Sequence, residues 1–277
     1  MTKKSRHLLI AIAAVAICAP SDMSAQRRHV PDDSTGVYLG VTSRMLWRDV
    51  TLADAPALRT GVAFPIRIGP PFMIVLDGST ALRSRPRTSV GDQYEAAIHY
   101  QWIFADRPHP RSIVLGYGEI WNPNLDQLAA GLRERTPEVT ASGLFDVGIE
   151  SQGIRTIHFQ IDAARTLAFI NSTWLQGSAS ASMGITIPRE TSDLSLAAIL
   201  RAALSASDMR GTFIAAGPRP SFGFHSADIG LDLEVRNRLP FHDLGATTTL
   251  QFGGSFRAER LGPHVGWVGL RESVLFN

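Results

Sequence analysis

The chain has 277 residues, 44% of them hydrophobic, and carries 27 Lys and Arg against 25 Asp and Glu, a formal charge of +2. That apolar content excludes wholesale disorder, and the length fits one large or two ordinary domains. The excess charge belongs to the first 25 residues, where Lys3, Lys4 and Arg6 outweigh Asp22, so the pI of 9.0 is no argument for nucleic acid; no basic stripe with interleaved aromatics appears either.

The N-terminus reads as an export signal over residues 1–25. A basic start is followed by an apolar run, Leu8–Ala19, and by Met23-Ser24-Ala25, which places cleavage before Gln26. The run is too short to span a bilayer as a helix. Cys18 is the sole cysteine, and the bulky Ile17 before it argues against a lipidation site. Once the leader leaves, no thiol remains, which excludes a disulfide scaffold and a thiolate metal site. Residues 26–35 show no periodicity and read as a disordered segment. Residues 36–277 form one domain.

From there a period of two recurs to the end, the signature of extended chain whose side chains alternate between two faces. Val37, Leu39 and Val41 alternate with Tyr38, Gly40 and Thr42, and Leu58–Ile68 repeats the pattern. After Pro70-Pro71 come Phe72, Ile74 and Leu76, with Asp77 in the same run. Tyr94–Trp102 sets Glu95 and His99 opposite aromatic and aliphatic positions, and a fifth run spans about Ser112–Trp121. The clearest pair is Glu138–Arg165. There Val139, Ala141, Phe145 and Val147 oppose Glu138, Thr140, Ser142 and Asp146, with Leu144 the exception. Beyond a Gln152-Gly153 break, Ile157, Phe159 and Ile161 oppose His158, Gln160 and Asp162. Further runs lie within Ile170–Ile187, Asp228–Arg236, Ala246–Arg257 and Val268–Phe276. The stretch Leu194–Leu204 fits either a strand or a helical face.

These runs amount to about twelve strands of roughly ten residues, the length that crosses a membrane at a tilt. Short turns alternate with longer loops, as in an outer-membrane barrel with both termini on the periplasmic side. A soluble sandwich or lipocalin-like barrel would alternate in the same way with its apolar face inward. The strand count exceeds the eight or so of such a barrel, Trp47, Trp102 and Trp121 fall at strand ends where an aromatic girdle would lie, and the last run ends on Phe276, one residue from the terminus. The expected fold is therefore all-β, a single transmembrane antiparallel up-and-down barrel. Its greasy face would meet outer-membrane lipid and its wet face would line a lumen.

Tyr38-Leu39-Gly40-Val41-Thr42-Ser43-Arg44, then Trp47-Arg48, Leu52-Ala53-Asp54-Ala55-Pro56-Ala57 and Gly61-Val62 resemble the opening hairpin of the TorF-type bacterial outer-membrane porins. The likeness covers about thirty residues, with Asp49 where that family tends to have Gly. It implies an outer-membrane barrel with a loosely defined transport role and brings no catalytic residues.

The wet faces carry the candidate chemistry. Arg44, Arg59, Arg67 and Arg257 and the acidic Asp77, Glu95, Asp146, Asp162, Asp228, Asp232 and Glu234 are expected to line the lumen, with His99 and His158 as neutral hydrogen-bonding partners. His225, His242 and His264 fall near turns and read as surface. No metal-ligand spacing, nucleophile elbow or phosphate loop is present, so no cofactor and no catalytic or metal residue is expected. If opposite charges segregate on facing walls, they create a transverse field that selects small polar solutes. If they pair across strands, they fill the lumen. Three functions follow: a passive channel for small hydrophilic solutes, a closed structural or adhesive barrel, and an outer-membrane enzyme with a rim site. No pattern speaks to oligomeric state.

Overall fold

The computed structural model describes residues 35–66, 72–82, 91–104, 111–123, 134–148, 154–167, 172–188, 193–208, 221–238 and 245–276. The expected leader, Arg67, His242, Pro70-Pro71 and Gln152-Gly153 lie outside these, as does the predicted disordered segment apart from Thr35, which opens the first strand.

Twelve strands form one closed antiparallel wall. In chain order they are β1 (Thr35–Thr42), β4 (Ala57–Ile66), β5 (Phe72–Ala81), β6 (Gln93–Phe104), β7 (Arg111–Trp121), β8 (Arg135–Gly148), β9 (Ile154–Thr166), β10 (Thr173–Pro188), β11 (Asp193–Ser207), β12 (Gly223–Arg238), β13 (Gly245–Arg257) and β14 (Val265–Phe276). Between β1 and β4 lies a separate two-stranded hairpin of β2 (Met45–Trp47) and β3 (Val50–Ala53). Each wall strand pairs with its chain neighbour, and β1 closes the ring by pairing with both β4 and β14: Val37 sits opposite Val62 on one side and Val274 on the other. Thr35, which opens β1, and Phe276, which ends β14, pair at one rim, here called the terminal rim; the hairpin belongs to the opposite one, the loop rim.

The segment 194–204 is strand. Leu196, Leu200 and Leu204 are spaced by four, which satisfies a helix and a strand alike. Pairing with β10 and β12 along the whole of β11 decides for the strand. Those leucines point outward, 37%, 58% and 65% exposed, while Arg201 between them points in.

Polarity is inverted relative to a soluble protein. Ile161, Ile185 and Ile229 on the outer face are more than half exposed, whereas inward Gln176, Asp232, Glu234 and Gln251 are almost wholly buried. Such an exterior is stable only against acyl chains, and a closed ring leaves no unpaired edge there. Aromatic side chains gather at both rims. Trp102 stacks on Phe104 at 6.2 Å beside Tyr100 at the terminal rim, and Trp121 packs on Tyr94 at 5.4 Å at the loop rim. Trp47 departs from expectation. It rides on the small hairpin and packs inside the barrel mouth, because the chain turns inward after β1.

Candidate functional site: a charged lumen and its inserted hairpin

The hairpin is the feature that sequence reading missed; residues 49–56 read as a plain loop. Trp47 pairs with Val50 across a two-residue turn, with Arg48 at φ 46° and Asp49 at φ 63°. Two successive left-handed residues are the geometry of the tight turns that match strand twist, normally filled by Asn-Gly. Asp tolerates that region through local hydrogen bonding, whereas Arg carries a cost of about 1 kcal/mol or more. The turn therefore forms with Asp49 where the TorF-type pattern that the chain resembles tends to have Gly.

Burial and anchoring offset the strain. Met45, Val50, Leu52 and Ala53 are at most 2% exposed and pack with Ala57, Ala164 of β9, Trp174 of β10 and Leu261 of a 3-10 turn, Glu259–Leu261. This is a small apolar core inside the mouth of an otherwise wet barrel. Around it the Arg48 guanidinium lies 4.5 Å from the Trp47 ring centre and 5.3 Å from that of Trp174. It donates from Nη2 to Glu138 Oε1 of β8 at 2.5 Å, with both side chains buried. The Arg48 carbonyl accepts from His225 Nε2 at 2.5 Å, and since a carbonyl only accepts, Nε2 carries the proton and Nδ1 accepts from the Ser207 hydroxyl at 2.6 Å. Ser226 donates to Asp49, and Arg257 Nη1 donates to Thr51 Oγ1 at 2.7 Å. Outside the strands, burial lowers the pKa of Arg260, which latches the 3-10 turn to the Ser207 carbonyl at 2.6 Å.

Two expected placements change. His225 is fully buried and inward rather than on the surface, because a register shift in the β11–β12 pairing turns both His225 and Ser226 toward the hairpin. Arg44 is not on the lumen wall. It lies at the hairpin's neck, about a third exposed, paired with Asp54 at 2.9 Å. His264 is exposed, accepting from the Arg257 amide at 3.0 Å.

The remaining candidates sort by wall. On β5 to β9 the inward charges are Asp77, Glu95, Glu138, Asp146 and Asp162, with no inward Arg or Lys among the side chains described. Asp162 accepts from Ser142 at 2.5 Å and from Gln160, and Asp146 meets His158 Nδ1 at 2.6 Å. His99 is 1% exposed beside Gly116, whose missing side chain leaves room for the imidazole. Facing them, β4, β11, β13 and β14 carry Arg59, Arg201, Arg257 and Arg271. After Lys4 every basic residue in the chain is arginine, a group that stays charged and presents a planar fork. On β12, Asp232 takes Arg201 at 2.8 Å, Glu234 takes Arg236 at 3.2 Å, and Asp228 is within 3.5 Å of the Ser226 hydroxyl. The walls meet at β4 and β5, where Arg59 is 4.0 Å from Asp77 and Tyr38 donates to the same carboxylate. Gly61 makes that approach possible, since a Cβ there would overlap the Tyr38 ring. Arg271 lies 5.8 Å from the centre of that ring. Between these walls and the hairpin tip lies a recess of about 610 Å³, counted with the solvent it opens onto, bounded by Trp47, Arg48, Arg59, Asp77, Glu95 and Asp162 among others.

Arg48, Glu138, Tyr38, Arg201 and Arg271 thus belong to the site without having been singled out from sequence. Alternation already put Tyr38 and Glu138 on wet faces; Arg201 was hidden by the helix-or-strand ambiguity.

No family model matches the chain, and no curated protein is similar to it, so the TorF-type resemblance rests on its own thirty residues. Among solved structures the chain is similar to the COG4313 outer membrane channel from Pseudomonas putida F1 (11% identity, 93% of this chain and 99% of that one, TM-score 0.47). It is also similar to LpxR from Salmonella typhimurium (12%, 88% and 99%, TM-score 0.45) and to the KdgM porin (8%, 88% and 98%, TM-score 0.42). With every TM-score below 0.5, the architecture stands on the strand pairing and inverted polarity described above.

Proposed function

We propose that the protein is a bacterial outer-membrane barrel through which small hydrophilic solutes diffuse passively, without catalysis, and that the inserted hairpin restricts its loop-rim mouth. The observation that carries this reading is the asymmetry of the lumen: the inward charges described on β5 to β9 are all carboxylates, whereas from β11 round to β4 arginines outnumber the carboxylates Asp228, Asp232 and Glu234 of β12. An acidic arc facing one with an excess of arginine orients water and dipolar solutes in a low-dielectric shell, the way rings of charge act in channels. The export signal expected from residues 1–25 and the resemblance of the opening residues to TorF-type porins support the outer membrane as its place.

A second reading, a closed structural barrel, has its own support in the burial of the hairpin and of His99, Gln101, Gln176 and Gln251. Planar-bilayer recordings on the purified barrel, with and without residues 45–53 replaced by a short Gly-Ser link, separate the two. Currents from the intact protein that grow when the hairpin is removed support the restricted channel. Silence from both leaves the closed barrel.

A further inference from the structure

The hairpin turn meets β12 at a pair of acids. Asp49 of the turn is 1% exposed, and the Ser226 hydroxyl donates to its Oδ2 while lying 3.5 Å from Asp228 Oδ2. A hydroxyl that touches both sets the two carboxyls within about 6 Å, the range in which like charges resist ionising together. They lie within hydrogen-bond reach of one another. Ser226 has one hydrogen to give, and Asp49 takes it. Asp228 Oδ1 is buried without a hydrogen-bond partner among the described residues. An ionised carboxylate with a bare oxygen closed off from water is costly. A carboxyl that keeps its proton donates to its neighbour instead of repelling it.

The charged and titratable groups around the pair leave that crowding in place. Arg48 on the turn is committed to Glu138 of β8, and Arg260 of the 3-10 turn to the Ser207 carbonyl. Arg257 of β13 acts on Asp228 through charge, but it is one cation against two carboxyls, and its Nη1 is held by Thr51. Ser255 lies opposite Asp228 in the β12–β13 register. His225 Nε2 is 4.0 Å from Asp49 Oδ2, and its bonds to the Arg48 carbonyl and from Ser207 suit the neutral ring. From β9 and β10 the hairpin core receives Ala164 and Trp174, neither of them ionisable.

We propose that Asp49 and Asp228 hold one proton between them while the hairpin is docked, which makes the hairpin a lid that alkali releases. Undocking takes Asp49 into water, where both carboxyls ionise as ordinary ones do and the shared proton passes to solvent. The docked state therefore binds one proton more than the undocked state, and docking weakens as pH rises. One proton corresponds to about a tenfold change in the undocked-to-docked ratio per pH unit. That slope runs from above the ordinary carboxylate range, about pH 4, to the pH at which the docked pair itself lets go. The switch depends only on docking; its effect on passage rests on the channel function proposed above.

The test is tryptic cleavage of the Arg48–Asp49 bond in the folded barrel between pH 6 and pH 9, each rate divided by that of a free peptide of the same local sequence. Wild type should be cut at least tenfold faster at pH 9 than at pH 6. Asp228→Asn, whose amide donates to Asp49 at every pH, should stay flat within twofold. Should that variant fail to fold, Asp49→Asn, a residue that left-handed turns accept, should flatten the profile as well. A wild-type rise below threefold would overturn the proposal. So would a rise that survives in Asp228→Asn and vanishes in His225→Gln, since the proton would then belong to the imidazole. Planar-bilayer current over the same pH range should climb with cleavage; a silent barrel whose cleavage still rises keeps the switch and removes only the channel.

Discussion

Glu138→Ala tests whether the hairpin is a docked element or a fixed part of the wall. The side chains of Arg48 and Glu138 are 6% and 3% exposed and meet at 2.5 Å, so deletion of the carboxylate leaves a guanidinium desolvated with only the Trp47 and Trp174 faces for company. Stranding one partner of a buried pair costs about 3–5 kcal/mol. Water is close at hand in the recess beneath, which argues for the lower end, about 3 kcal/mol. If that penalty falls on docking rather than on the barrel, the undocked population rises on the order of 100-fold. The Arg48–Asp49 bond is itself a tryptic site that the docked state hides. Cleavage at that bond, followed by mass spectrometry under conditions where opening and closing are fast, reports the undocked fraction. The variant should be cut about two orders of magnitude faster while its heat-modifiable migration is unchanged. A rate within twofold of wild type would refute the assignment of the ion pair as the hairpin's main anchor.

Gly61→Ala should lower the urea midpoint by an amount equivalent to about 1–3 kcal/mol, because its methyl displaces Tyr38 from Asp77; Gly177→Ala, with open space around it, should leave the midpoint unchanged. Leu200→Arg, on the outer face, should destabilise folding into vesicles by about 2–4 kcal/mol if it lies near the bilayer midplane, and full tolerance would mean that this face does not meet lipid. In bilayers under a salt gradient, Glu95→Gln combined with Asp162→Asn should move the reversal potential toward anion preference, whereas an unmoved potential would remove the acidic wall from the conduction path. Asp49→Gly relaxes the left-handed turn and deletes the bond to Ser226. The lost charge-assisted bond, about 1.5–3 kcal/mol, outweighs the small relief at a residue that already tolerates the left-handed region, so tryptic cleavage after Arg48 should rise several-fold. A fall would show that the turn, not the tether, limits docking.

The wall was legible because its rule is simple. A strand with lipid on one side and water on the other must alternate, so Tyr94–Trp102 and Ile229–Val235 announce both their structure and their inward set, Glu95 and His99, Asp228, Asp232 and Glu234. Where the rule is silent, so was the sequence. Leucines four apart at 196, 200 and 204 obey two periods at once, and with them Arg201 dropped out of the lumen. The hairpin was invisible for a stronger reason. Met45, Leu46, Val50 and Leu52 look like any short apolar loop, and the turn uses Arg48-Asp49 where Asn-Gly would have been recognised. Nor does local pattern say that residue 138 on one strand and residue 225 on another will close on a turn some ninety and a hundred and eighty residues away.

That long-range closure explains how one chain holds two opposite polarities at once. Outside, apolar side chains gain nothing by leaving lipid for one another; inside the mouth they are in water, and the ordinary hydrophobic drive returns. Met45, Val50 and Leu52 therefore fold against Trp174 and Leu261 as they would in a soluble core. Burial of this kind is non-directional and would be satisfied by many poses in the mouth. The pose is selected by contacts that are not: Arg48 to Glu138 on β8, the Arg48 carbonyl to His225 and Asp49 to Ser226 on β12, and Thr51 to Arg257 on β13. These strands lie on separate arcs of the ring, so only one position of the hairpin satisfies them together. The charges that line the lumen thus have two uses. Near the terminal rim and in the recess they face the open lumen; at the loop rim the same inward positions are committed to holding the hairpin, so under the proposed channel function conductance and hairpin docking should change together when Glu138 is altered and separately when Glu95 is.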